Sequence, residues 1–117
     1  MNTQQVADRL VAFCRQGEIQ KAMEELYADS IISNEPANSL VKSASGKKGV
    51  FEKGAQFASM IEQHHGGSFS NPIVAGRYFS VVMVLDATIK GMGRMKLEEI
   101  CLYEVKDGQI VFEQFFF

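Results

Sequence analysis

The chain has 117 residues, 46% of them hydrophobic and 22% charged, which suits one packed domain and argues against disorder. Lys and Arg number 12 against 14 Asp and Glu; the formal charge of −2 argues against a chain-wide nucleic-acid or membrane-surface role. No apolar run approaches the roughly 20 residues of a membrane span, no signal-peptide core opens the chain, and two cysteines are too few for a disulfide framework. A single cytoplasmic domain over residues 1–117 is therefore expected.

Val6, Leu10, Phe13 and Cys14 share one face of a helix from Thr3 to Gln16, with Asn2 or Thr3 as its cap and Gly17 at its end. Ile19, Ala22, Met23, Leu26 and Tyr27 mark a second, short helix. Ile31-Ile32-Ser33 reads as a short strand stopped by Pro36, and residues 37–46 read as a polar surface loop. A third helix is expected from Lys47 to His65, capped by Ser45 and stopped by Gly66-Gly67. Gly49 and Gly54 weaken it by about 1 kcal/mol each relative to Ala. Ser68 to Val74 follows as a strand that Pro72 confines to an edge or a bulge.

The period then changes from 3.6 to 2. Phe79, Val81, Met83, Leu85, Ala87 and Ile89 alternate with a more polar set over one long strand. Gly91-Met92-Gly93 turns the chain into a second long strand, Arg94 to Val105; Lys106-Asp107-Gly108 turns it again into Gln109 to Phe117. Helices on one side of a bent antiparallel sheet make an α+β fold. The last two strands are apolar on both faces, and helices can cover only one of them. Either a second copy of the chain covers the open face, which is expected, or the C-terminal phenylalanines fold over a monomer's edge.

Several short stretches carry a resemblance that spans nearly the whole chain: Gly17-Glu18-Ile19, Leu26-Tyr27-Ala28-Asp29, Asn34-Glu35-Pro36, Gly46-Lys47-Lys48-Gly49 and Tyr103-Glu104-Val105-Lys106-Asp107-Gly108-Gln109-Ile110. With this layout the chain resembles the nuclear transport factor 2-like superfamily, in its SnoaL-like and ketosteroid isomerase-like branch. The resemblance implies a cystatin-like cone in which three N-terminal helices pack on a strongly curved, mixed or antiparallel sheet. It also implies an apolar pocket for a small hydrophobic molecule and a homodimer formed through the open sheet face. Function within that superfamily ranges from isomerases, cyclases and dehydratases to non-catalytic modules, so the fold does not settle the activity.

Glu35 occupies the place of the ketosteroid isomerase-like general base; a carboxylate desolvated on a pocket wall becomes a usable proton shuttle, whereas at a solvated strand end it does not. The oxyanion donors of that pattern are missing, since Leu10 stands for the helix tyrosine and Cys101, a weak donor, for the second acid. Enolate stabilisation by those donors is therefore not expected. Glu99 and Glu113 are further catalytic candidates. A three-residue hairpin loop pairs Cys101 with Glu113 and puts both carboxylates on one face; a two-residue loop pairs Cys101 with Gln114 instead. The alternative is that both glutamates are half-exposed or paired with Arg77, Arg94 or Lys96.

Tyr27, Phe57, Phe79 and Met83 are expected to line the hollow along with Leu10 and Cys101, and so are Tyr103 and Phe115. His64-His65 reads as ordinary chemistry at a helix C-terminus, where the dipole favours a cation. No phosphate-cradling glycine motif and no metal-ligand spacing is present, so neither a cofactor nor a metal is expected.

Overall fold

Asn2 opens the first helix with a capping box: its side chain accepts from the Gln5 N–H at 2.8 Å, and the Gln5 side chain accepts from the Asn2 N–H at 2.9 Å. Gly17, at φ 72°, ends that helix, where the Glu18 N–H reaches Phe13 O at 2.9 Å and the Gly17 N–H reaches Cys14 O at 3.1 Å. The structure, a computed structural model, describes residues 1–117. It runs α1 (Thr3–Arg15), α2 (Ile19–Leu26), β1 (Tyr27–Asn34), β2 (Ala44–Ser45), α3 (Lys47–Met60), β3 (Ile61–Phe69), β4 (Ile73–Ala75), β5 (Tyr78–Ile89), β6 (Gly93–Lys106) and β7 (Gln109–Phe116).

The sheet order is β2-β1-β7-β6-β5-β3, with β4 beside β5; β1 and β7 are parallel and every other pair is antiparallel. The α+β class and the packing of three helices on a mixed sheet follow. α3 touches β1 and β2 at one edge and runs straight into β3 at the other, which requires the sheet to curl around it. The core fills the concave side, with Val6, Leu10, Leu26, Ile31, Val50 and Ile110 at most 1% exposed.

The third helix is shorter than its pattern suggests. It stops at Met60, and Ile61 is already extended, so His64 and His65 belong to β3 and the reading of helix-end chemistry for them is corrected. Gly66 and Gly67 do not stop a helix. Gly67 is needed where β3 passes β5 so closely that a Cβ would run into the Val84 carbonyl. Gly46 at φ 79°, not Ser45, caps α3, and its cap forms no side-chain hydrogen bond.

The expected strand over residues 68–74 divides instead: Ser68 and Phe69 end β3, Pro72 lies in the connection, and Ile73–Ala75 form β4. β1 starts at Tyr27, four residues before the short strand expected there, and Ala44–Ser45 pair with it from within the polar loop.

The last hairpin decides which side chains face inward. Asp107 (φ 52°) and Gly108 (φ 76°) make a two-residue turn with both central residues left-handed. Lys106 pairs with Gln109 and Val105 with Ile110, but Glu104 pairs with Phe112, leaving Val111 as a bulge. Beyond it Tyr103 faces Glu113 and Cys101 faces Phe115. Neither pairing expected for Cys101 is formed. The bulge restores by one extra residue the face that a three-residue loop would have given, and Glu113 points inward.

Candidate functional site

Period-2 alternation on β1 aims Ile31 and Ser33 into the cone, and the chain continues to Glu35 just past the strand. β7 contributes Glu113 and Phe115 to the same interior, and β6 contributes Glu99, Cys101 and Tyr103. α3 supplies Lys53, one turn after buried Val50 and one turn before Phe57, so its stem lies on the helix's apolar stripe while its ammonium reaches the strands.

Tyr27, Glu113, Ser33, Lys53 and Glu35 form one hydrogen-bonded chain. The Tyr27 hydroxyl donates to Glu113 Oε2 at 2.5 Å and the Ser33 hydroxyl to Glu113 Oε1 at 2.7 Å. Lys53 Nζ donates to the Ser33 oxygen and to Glu35 Oε2, the latter at 2.8 Å, and stands 5.0 Å from the centre of the Phe115 ring. Ser39 donates to Glu35 Oε1 at 2.8 Å, and the Glu35 N–H donates to Ser43 Oγ at 2.8 Å, so one loop serine holds the carboxylate and another its backbone. Glu113 is 2% exposed, and no buried side-chain polar atom lacks a partner.

The carboxylates differ electrostatically. Burial pushes Glu113 up from its ordinary value, while the hydrogen bonds from Tyr27 and Ser33 pull it back. Burial and then the neighbouring Glu35 charge push Glu99 up to about 7, against the pull of Lys53. Both oxygens of Glu35 are engaged, whereas no protein group donates to Glu99. Burial also raises Tyr27, Tyr103 and Cys101, and lifts Cys14 to about 12, leaving the thiols protonated at neutral pH.

Leu10, Tyr27, Phe79, Cys101 and Tyr103 lie within the core, where the Phe79 and Tyr103 rings stack at 4.7 Å. Met83 and Phe115 are only half-buried, at the margin of that core, and Phe57 is half-buried on α3. Glu99 and Glu113 share the inner face without contacting each other, Glu35 and Lys53 being the charged groups that act on both. The cations named as alternative partners serve the outer face: Arg77 pairs with Glu104 at 2.7 Å, Arg94 with Asp86 at 2.9 Å and Lys96 with Glu98 at 3.5 Å.

Sequence reasoning missed Lys53 and Ser33. A charged residue on the stripe between Val50 and Phe57, and a serine alternating with Ile31 and Glu35, were the signals available. A cavity of about 380 Å³ opens beside this cluster, between the end of α1 and strands β3 and β5. Its walls include Cys14, Arg15, His64, Phe69, Met83 and Leu85. Met83 sits directly across the strand pair from Glu99, within side-chain reach. No three His, Cys, Asp or Glu side chains come together in an arrangement that could hold a metal ion. No helix is long and apolar enough to cross a membrane.

A family model described as a SnoaL-like domain matches residues 1–117. A solved structure from Mesorhizobium loti, provisionally named a SnoaL-like polyketide cyclase, is 31% identical with a TM-score of 0.93, covering 100% of both chains. An NTF2-like protein of unknown function from Burkholderia pseudomallei is 14% identical with a TM-score of 0.79, over 100% of this chain and 92% of its own. A protein of ketosteroid isomerase-like fold from Catenulispora acidiphila, solved with trimethylamine, is 17% identical with a TM-score of 0.76, over 99% and 87%. No curated protein matches the sequence.

Proposed function

This chain belongs to the SnoaL-like domain family, and from that premise we propose that it binds a small, largely apolar molecule in the 380 Å³ cavity and exchanges a proton with it through Glu99. Glu99 carries the reading. It is the inward carboxylate with no protein donor, it lies one strand from the cavity wall at Met83, and burial holds it near neutrality, where a group can both accept and return a proton. The cavity lies within the range of about 300–1,000 Å³ usual for small-molecule sites.

In this proposal Glu35, tethered by Ser39 and Lys53, sets the field at Glu99 and does not itself take the proton. The reaction class is cofactor-independent isomerisation, cyclisation or dehydration, in keeping with the provisional name of the Mesorhizobium loti relative.

A second reading, binding without turnover, is favoured by a different observation. The Tyr27 hydroxyl is committed to Glu113, and the protonated Cys101 thiol is a weak donor, so neither is free to hold a developing oxyanion. The two readings separate in one experiment. Apolar carbonyl compounds would be titrated into the protein in deuterated water, following backbone amide shifts and deuterium uptake next to the ligand carbonyl. The enzyme reading predicts shifts at Phe69, Met83 and Leu85, with uptake that Glu99→Gln abolishes. Shifts without uptake select the binding module, and no shifts on the inner face refute both.

The same proposal includes a homodimer through the open face and a cytoplasmic location. Val82 (46%), Ile100 (51%) and Phe116 (46%) are exposed in one row across three strands, an apolar patch suited to a second copy. Both cysteines are free thiols, in keeping with a reducing compartment.

A further inference from the structure

We propose that the molecule held in this cavity carries an anionic group, a carboxylate, read at the cavity mouth by Arg15 and aided by His64. The inference rests on the cavity reading above and adds the chemical class of the ligand. Arg15 is the last residue of α1, and its guanidinium is held by neutral acceptors only. Nε and Nη2 donate to Phe69 O at 3.2 and 2.9 Å, and Nη2 donates to Asn71 Oδ1 at 2.9 Å.

The group is thereby oriented by the β3–β4 connection, with both N–H bonds of Nη1 left without a protein acceptor. Each of the other three arginines donates to, or pairs with, a carboxylate or a tyrosine oxygen: Arg9 with Glu25, Arg94 with Asp86, and Arg77 with Glu104 and Tyr78; Arg15 forms no ion pair. A fixed, uncompensated cation on a cavity wall is a carboxylate-recognition device, because its planar fork matches two oxygens at once.

His64 adds a second polar group to the same wall, on the inward side of β3 opposite Ala87. Ser68 adds a hydroxyl, and the apolar part of the wall is Cys14, Phe69, Met83, Val84 and Leu85. The gradient runs from a cationic mouth to an oily interior, and it fits an amphipathic acid whose apolar body points toward Glu99. Anion selectivity must come from the side chain and not the backbone. The end of α1 presents carbonyl oxygens, which repel an anion, so the preference stands or falls with Arg15.

The test compares octanoate with 1-octanol, matched in their apolar tails, by calorimetric titration of the full chain at neutral pH, with amide shifts locating the site. Octanoate is expected to bind about tenfold more tightly than octanol, the scale of one charge-assisted hydrogen bond. Arg15→Gln should remove that preference while leaving octanol binding unchanged. Should that variant fail to fold, added salt supplies the check on the native chain, weakening octanoate and sparing octanol. Equal affinity for the two probes, or a preference that survives both Arg15→Gln and salt, overturns the inference and leaves the cavity reading standing. Failure of both probes to shift Phe69 or Met83 overturns the cavity reading and this inference together.

Discussion

The two faces of strands β5, β6 and β7 invert the usual arrangement. Their inner face buries Glu113 and Tyr103 beside Tyr27 and Ser33 of β1, whereas their outer face leaves Val82, Ile100 and Phe116 about half exposed to water. Each anomaly is explained by what completes it. Inside, the fully buried polar side chains answer one another, Tyr27 and Ser33 through Glu113 and Lys53 through Glu35, so their cost of burial is met within the chain, while half-buried Glu99 has no donor. Outside, nothing in the chain answers the apolar row. Substitutions on the inner face should therefore cost stability, and those on the outer face should cost association.

The largest effect is expected at Lys53. Lys53→Met keeps the apolar stem but leaves Glu35 without its cation at a site where both side chains are 9% exposed. A loss of about 3–5 kcal/mol in denaturant unfolding is expected. Tyr27→Phe is next: it removes the donor to Glu113 Oε2 without opening a cavity, and about 1–3 kcal/mol should be lost.

A smaller, pH-dependent effect belongs to Glu99. Its folded-state pKa of about 7 lies above the ordinary 4.5, so between those values the native chain holds a proton that the unfolded chain has released. That contribution is fully present below about 4.5 and is lost as the pH rises through about 7. Unfolding midpoints should therefore fall across that window, and the Glu99→Gln variant should show a shallower fall. Least of all in stability, Ile100→Asp on the outer face should change unfolding by about 0.5 kcal/mol or less once the chain is monomeric. The same substitution should convert a dimer into a monomer in sedimentation; if the native chain already sediments as a monomer, the comparison of faces loses its outer half.

Much of this contrast was legible in the residues. Alternation in β5 and the two-sided apolarity of β6 and β7 announced a curved sheet with a bare face, because period-2 patterning follows directly from backbone geometry. Asn2 and Gly17 marked the ends of α1 through local hydrogen bonds alone.

What escaped were features that depend on distant chain. Gly66-Gly67 looked like a helix stop because the close passage of β3 over β5 is a tertiary fact. The inward aim of Glu113 hung on a bulge at Val111, which no local pattern specifies. Lys53 gains its part in the site only because β1 brings Ser33 and Glu35 to its ammonium. Glu35 was visible as a candidate from its place in the resemblance. The ties that hold both of its oxygens, and that single out Glu99 as the open carboxylate, come from Ser39 in the β1–β2 loop and Lys53 on α3.

The most direct measurement is a carbon-detected NMR titration of the Glu99 side-chain carboxyl, with Glu99→Gln used for assignment. A midpoint near 7 is predicted, set by the carboxyl's burial among inner-face residues and by the charge of Glu35. A midpoint near the ordinary 4.5 would mean a solvated carboxylate with no capacity to carry a proton at neutral pH, and would contradict the account of this site.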